Sequence, residues 1–93
     1  MQITLYANLR QIAGQRTVAF DWHEPVTVEE LIAKIVSRYP AMAEALLTED
    51  GRLSEHVRIF ADGRDILTAA EPESVLLPAQ ARIDLFPAIA GGQ

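Results

Sequence analysis

One sustained amphipathic helix is written into this chain, and it limits what the rest can become. Val28, Leu31, Ile32, Ile35, Val36 and Tyr39 fall on a single stripe at helical spacing. Thr27 followed by Glu30 reads as a capping box, in which the Thr hydroxyl takes a free backbone N–H and the Glu carboxylate reaches back. Glu29 and Glu30 suit the positive helix N-terminus, Arg38 suits the negative C-terminus, and Pro40 ends the run. The segments around this helix alternate like strands. A single helix cannot cover two faces of a sheet, so one face packs on the helix and the other stays open.

The strand pattern is legible on both sides of the helix. Gln2 to Asn8 alternates, with Ile3, Leu5 and Ala7 on one face and Thr4, Tyr6 and Asn8 on the other. Leu9 to Ala13 fits one short helical turn closed by Gly14. Arg16 to Trp22 alternates again, with Val18, Phe20 and Trp22 apolar, and pairs with the first strand as a hairpin. After the helix, Ala41 to Leu47 allows another turn or two before the polar stretch Thr48 to Arg52. His56 to Ala61 reads as a strand with Val57, Ile59 and Ala61 inward, and Asp62-Gly63 turns it back into a short strand, Arg64 to Ile66. Thr68 to Glu73 is polar loop. Arg82 to Phe86 is the last strand, with Ile83 and Leu85 inward and Pro87 as its stop.

The order strand, strand, helix, strand, short strand, strand predicts an α+β fold of the β-grasp, ubiquitin-like kind. Its mixed sheet has four to five strands, the first and last central and parallel, with one main helix on one face. Residues 1–87 form the domain, and 88–93, small and uncharged, form a flexible tail carrying Gly91-Gly92.

Composition narrows the chemistry. Ninety-three residues suit one domain. With no cysteine, disulfides, thiolate metal sites and a cysteine nucleophile are excluded. Neither His23 nor His56 has a partner at ligand spacing, so no metal is expected. Thirteen acids against eight bases give a net charge of −5, which weighs against nucleic acid and suggests a partner with a basic surface. No apolar run reaches the ~20 residues of a membrane span, and no basic, apolar leader opens the chain, so a cytoplasmic protein is expected.

Specific segments resemble the ThiS/MoaD family of ubiquitin-like sulfur carriers, molybdopterin synthase small subunits among them. Ala7-Asn8-Leu9-Arg10 with Ile12-Ala13-Gly14 resembles that family's first strand and turn. Thr27 to Leu31 with Tyr39-Pro40-Ala41 resembles its helix, and His56 to Ile66 its central hairpin. The most specific match is Leu85-Phe86-Pro87-Ala88-Ile89-Ala90-Gly91-Gly92, close to the family's terminal signature. Two features depart from the pattern: Gln93 follows the second glycine, and Gln80-Ala81 stands where the family usually has Gly-Asp.

The resemblance implies a cosubstrate rather than an enzyme. A free carboxylate repels nucleophiles. In the family, an E1-like adenylating enzyme uses ATP to place AMP on the terminal glycine, and a sulfur donor then converts the acyl-adenylate to a thiocarboxylate. The carrier itself binds no cofactor. On this reading Gly92 is the reactive residue after a protease removes Gln93, Gly91 gives slim access, and Ile89 is an anchoring side chain. The implied acceptor is the pterin precursor of molybdenum cofactor, with a molybdopterin synthase large subunit as partner. Thiamine, cysteine and tRNA thiolation are the other routes. A ubiquitin-like modifier joined to lysines, and a non-conjugated β-grasp binding module, are the alternatives.

The face assignment also marks a docking surface. Tyr6, Phe60 and Phe86 point away from the helix, and Arg58, Arg82 and Asp84 share that face as a rim. Pro87 and Ile89 join them as expected partner contacts. The plain alternative is that the loop from Leu67 to Ala81 covers the aromatics, or that they are scattered singly.

Overall fold

The computed structural model describes residues 1–88. The chain enters as β1 (Gln2–Leu5), turns through α1 (Asn8–Ala13) and returns as β2 (Thr17–Ala19). A two-residue strand, β3 (Val26–Thr27), leads directly into α2 (Val28–Arg38). A 3-10 turn at Pro40–Met42 and a short helix, α3 (Ala43–Leu46), follow. Next come β4 (Arg58–Ala61), β5 (Arg64–Asp65), a 3-10 turn at Pro72–Ser74, β6 (Leu76–Leu77) and β7 (Arg82–Phe86).

The main sheet runs β2-β1-β7-β4-β5. β1 and β7 are parallel neighbours, with Ile3 opposite Ile83 and Leu5 opposite Leu85. β4 lies antiparallel on the other side of β7, with Ile59 opposite Leu85 and Ala61 opposite Ile83. All six of these side chains are buried, and α2 closes over that face with Val28, Leu31, Ile32 and Ile35. The architecture is the expected β-grasp: a mixed sheet, its first and last strands adjacent and parallel, with one main helix on one face.

The helix forms where the sequence places it, and for the stated reason. The Glu30 N–H donates to Thr27 Oγ1 at 3.0 Å, and the Thr27 N–H donates to Glu30 Oε1 at 2.8 Å. Asp62 and Gly63 both adopt positive φ, 50° and 86°, as a tight two-residue hairpin needs.

Three expectations are corrected. The first strand ends at Leu5 rather than Asn8: Ala7 adopts φ 55° and is exposed, not inward, because the chain passes from strand to helix through Tyr6 and Ala7 alone. The second strand is three residues long, and Trp22 lies beyond it, stacked on Phe20 at 5.3 Å. The longer span expected as loop, Leu67 to Ala81, is not all loop, since β6 pairs with β3 in a separate two-stranded sheet.

A docking face and the root of the tail

Alternation along β7 and β4 sends Asp84, Phe86, Arg58 and Phe60 to the face opposite α2. Register brings them together: Arg58 stands opposite Phe86, and Phe60 opposite Asp84. Tyr6, one residue past β1, is held beside β7 because its N–H donates to the Leu85 carbonyl at 3.2 Å. The three aromatic rings form one cluster. Tyr6 stacks on Phe86 with centroids 4.1 Å apart and planes 13° from parallel, and Phe60 meets Phe86 edge-on at 5.9 Å. All three are half-buried, so the cluster presents part of its ring area to solvent.

Polar groups fix the cluster. The Tyr6 hydroxyl donates to Asp84 Oδ1 at 3.0 Å. That hydrogen bond, followed by burial and the nearby Asp84 charge, raises the Tyr6 phenol above its ordinary 10.0, against the opposing pull of Arg16 and Arg10. Arg58 reaches Asp65 at 3.5 Å. Arg82 does not join the rim. It lies four residues from Phe86 along β7, roughly 13 Å away at strand rise, opposite Gln2. The open-face positions of β4, β5 and β7 therefore carry Arg58 and Arg82 against Asp65 and Asp84, a local sum of zero. The −5 of the whole chain resides elsewhere, so the expected preference for a basic partner does not follow for this face.

The end of β7 differs from expectation. Pro87, expected among the partner contacts, is buried, since the chain turns inward after Phe86. The Ala88 N–H then donates to the Ala45 carbonyl at 2.9 Å, and Ala88 packs against the core. The body therefore runs through Ala88 rather than stopping at Pro87. Ile89, Gly91, Gly92 and Gln93 lie outside the described residues.

Other features lie away from this end. A concavity of about 640 Å³ sits between α2 and the 47–53 hairpin, flanked by Ile32, Val36, Leu47 and Leu53. Leu76 on β6, 63% exposed, was not singled out by sequence, because a two-residue strand has no period to read. Among the described residues, no helix is long and apolar enough to cross a membrane, and no group of three or more His, Asp or Glu is placed to hold a metal ion.

Comparison with known proteins decides the family. The ThiS family model matches residues 3–92. The chain belongs to the ThiS family. It is thus one of the ubiquitin-like small modifiers and sulfur carriers. It is 32% identical over 92 residues to small archaeal modifier protein 1 of Haloferax volcanii, covering 99% of this chain and 100% of that protein. The crystal structure of the H. volcanii small archaeal modifier protein 1 superposes with a TM-score of 0.75 at 30% identity, covering 95% of each chain. A chain of the Amycolatopsis orientalis BexX/CysO complex shares the fold, with a TM-score of 0.74 at 21% identity and 98% of each chain covered.

Proposed function

We propose that this chain is a sulfur carrier whose Gly92 carboxylate is the working group. The observation that carries the reading is the family match, which runs through residue 92 and so takes in Gly91 and Gly92. The described backbone is held at Ala88, and Gly91 and Gly92 follow three and four residues later in the sequence. Two successive residues without Cβ let the backbone approach a reacting phosphate closely. In the proposed step the Gly92 carboxylate attacks the α-phosphorus of ATP on an E1-like enzyme, and pyrophosphate leaves. A sulfur donor then displaces AMP from the acyl carbon, leaving a thiocarboxylate.

Gln93 would put a side chain where the reading needs glycine, so its removal by a protease precedes activation. The test compares chains with and without Gln93 in ATP-dependent adenylation by the cognate activating enzyme. Acyl-adenylate on the chain ending at Gly92, and little on the one retaining Gln93, is the expected result. No adduct on either chain overturns the reading.

The acceptor carried forward is the pterin precursor of molybdenum cofactor, on the MoaD-like run Leu85 to Gly92. Incubating the thiocarboxylate form with a molybdopterin synthase large subunit and the precursor should yield the dithiolene. Failure there, with thiocarboxylate formation intact, moves the acceptor to thiamine, cysteine or tRNA thiolation.

The 32% identity to a protein named as a modifier supports a second reading, in which a lysine of another protein attacks the same acyl-adenylate. Denaturing immunoblots from the native cell separate the two. Ladders that disappear when Gly91 and Gly92 are deleted favour conjugation.

A further inference from the structure

A four-residue helix leaves most of its carbonyls unpaired, and α3 shows where two of them go. The Leu47 N–H takes the Ala43 carbonyl at 2.8 Å, which closes the helix. The Leu46 carbonyl accepts from the Ser54 N–H at 2.9 Å and so holds the hairpin after the helix. The Ala45 carbonyl accepts from the Ala88 N–H, also at 2.9 Å. Ala45 is buried, and Ala88 packs against the core beside it. The contact sits in a shallow groove formed with Ala7, Ile12 and Ala41, where small side chains let the two backbones approach.

We infer that the Ala45–Ala88 backbone contact is a positioning device: it fixes the root of the tail and so sets the reach and exit direction of Gly92. This rests on the proposed adenylation of Gly92 and adds to it a geometric requirement. Four residues separate Ala88 from Gly92, which is at most about 14 Å of extended chain. Were the chain held only as far as the buried Pro87, five residues and about 18 Å would be available. The anchored root therefore confines the carboxylate to the end of the sheet where Tyr6 and Phe86 stack. A partner seated on those rings finds the terminus close by. A contact at the Arg82 end does not.

Ala88→Pro removes the donor, and Ala88→Gly keeps it. Each variant, ending at Gly92, is assayed for binding to the activating enzyme and for single-turnover acyl-adenylate formation. Ala88→Pro is expected to bind within about twofold of the unaltered chain and to adenylate roughly 10- to 100-fold more slowly. Ala88→Gly is expected to recover most of that rate. Amide exchange at Ala88 in the unaltered chain checks the contact independently of any variant, and protection is expected. An unprotected Ala88 amide, or equal single-turnover rates for all three chains, overturns the inference while leaving the proposed function standing. Absence of adduct on the unaltered chain overturns both.

Discussion

Tyr6 and Asp84, distant in sequence, are joined at 3.0 Å where the phenol donates to the carboxylate, and the same tyrosine ring lies on Phe86 at 4.1 Å. The bond orients a ring of the open-face cluster, and it leaves a titration signature. Because the folded protein holds the phenol proton more tightly than the ordinary value of 10.0, the bond's contribution to stability is fully present below that value. It is lost as pH rises through the folded midpoint. In a Tyr39→Phe background, absorbance titration should find Tyr6 ionising above 10.0, and Asp84→Ala should bring it back toward that value. A midpoint unmoved by Asp84→Ala would remove Asp84 as the cause.

Phe86 is the ring that both other aromatics touch, so it should dominate docking. Aromatic residues at the centre of an interface commonly cost ~2 kcal/mol or more when truncated, about 30-fold in affinity. Phe86→Ala is expected to weaken binding to the activating enzyme by at least that much. Phe60→Asp and Phe86→Asp should abolish capture. Both side chains face away from the buried layer, so circular dichroism and cooperative melting should be retained in all three variants. Normal affinity with the Phe86 ring removed would mean the partner reads another surface.

Thr27 tests the local device rather than the interface. Its hydroxyl and Glu30 satisfy each other's backbone donors, so Thr27→Ala should cost about 1 kcal/mol in urea unfolding. Partner affinity should stay unchanged, because the cap lies on the layer opposite the aromatic cluster. A loss of affinity matching that of Phe86→Ala would show that the helix layer also docks.

What the sequence made readable follows from the range of each interaction. The capping box spans three residues, and Asp62-Gly63 spans two, so both announce themselves locally. Arg82 to Phe86 alternates over a full strand and is placed residue for residue. The pairing of Val26–Thr27 with Leu76–Leu77 joins segments fifty residues apart through two residues each, too few to show a period. The Ala45–Ala88 contact is made by backbone atoms of two alanines, and neither side chain signals it. The aromatic cluster falls between these cases. The faces of Phe60 and Phe86 are legible from alternation, but the 4.1 Å stack of Tyr6 depends on parallel register.

Ala7 is where local chemistry and fold disagree. A residue bearing Cβ at φ 55° pays roughly 1–2 kcal/mol for the conformation, and glycine does not. Glycine loses about 0.5–1 kcal/mol in chain entropy, so Ala7→Gly should be net stabilising by roughly 0.5–1 kcal/mol. Thermal and urea unfolding check this. Destabilisation instead would show that the Ala7 methyl has a packing role outweighing its backbone strain.

Charge placement yields a last expectation, concerning rates. Over the whole open face of β4, β5 and β7, with Arg82 at its far end, Arg58 and Arg82 offset Asp65 and Asp84, although the chain as a whole carries −5. At physiological salt the Debye length is about 8 Å, so charge on the opposite layer is largely screened from a partner approaching this face. Association should then run near the unsteered ~10⁵–10⁶ M⁻¹s⁻¹ and change little as salt is raised further. Arg58→Ala leaves Asp65 without its 3.5 Å partner and makes the face net negative. It should introduce a salt dependence that the unaltered chain lacks, its sign revealing the charge of the partner's surface. Stopped-flow binding at several salt concentrations reads both. A steep dependence in the unaltered chain would place the contact on a surface other than this balanced face.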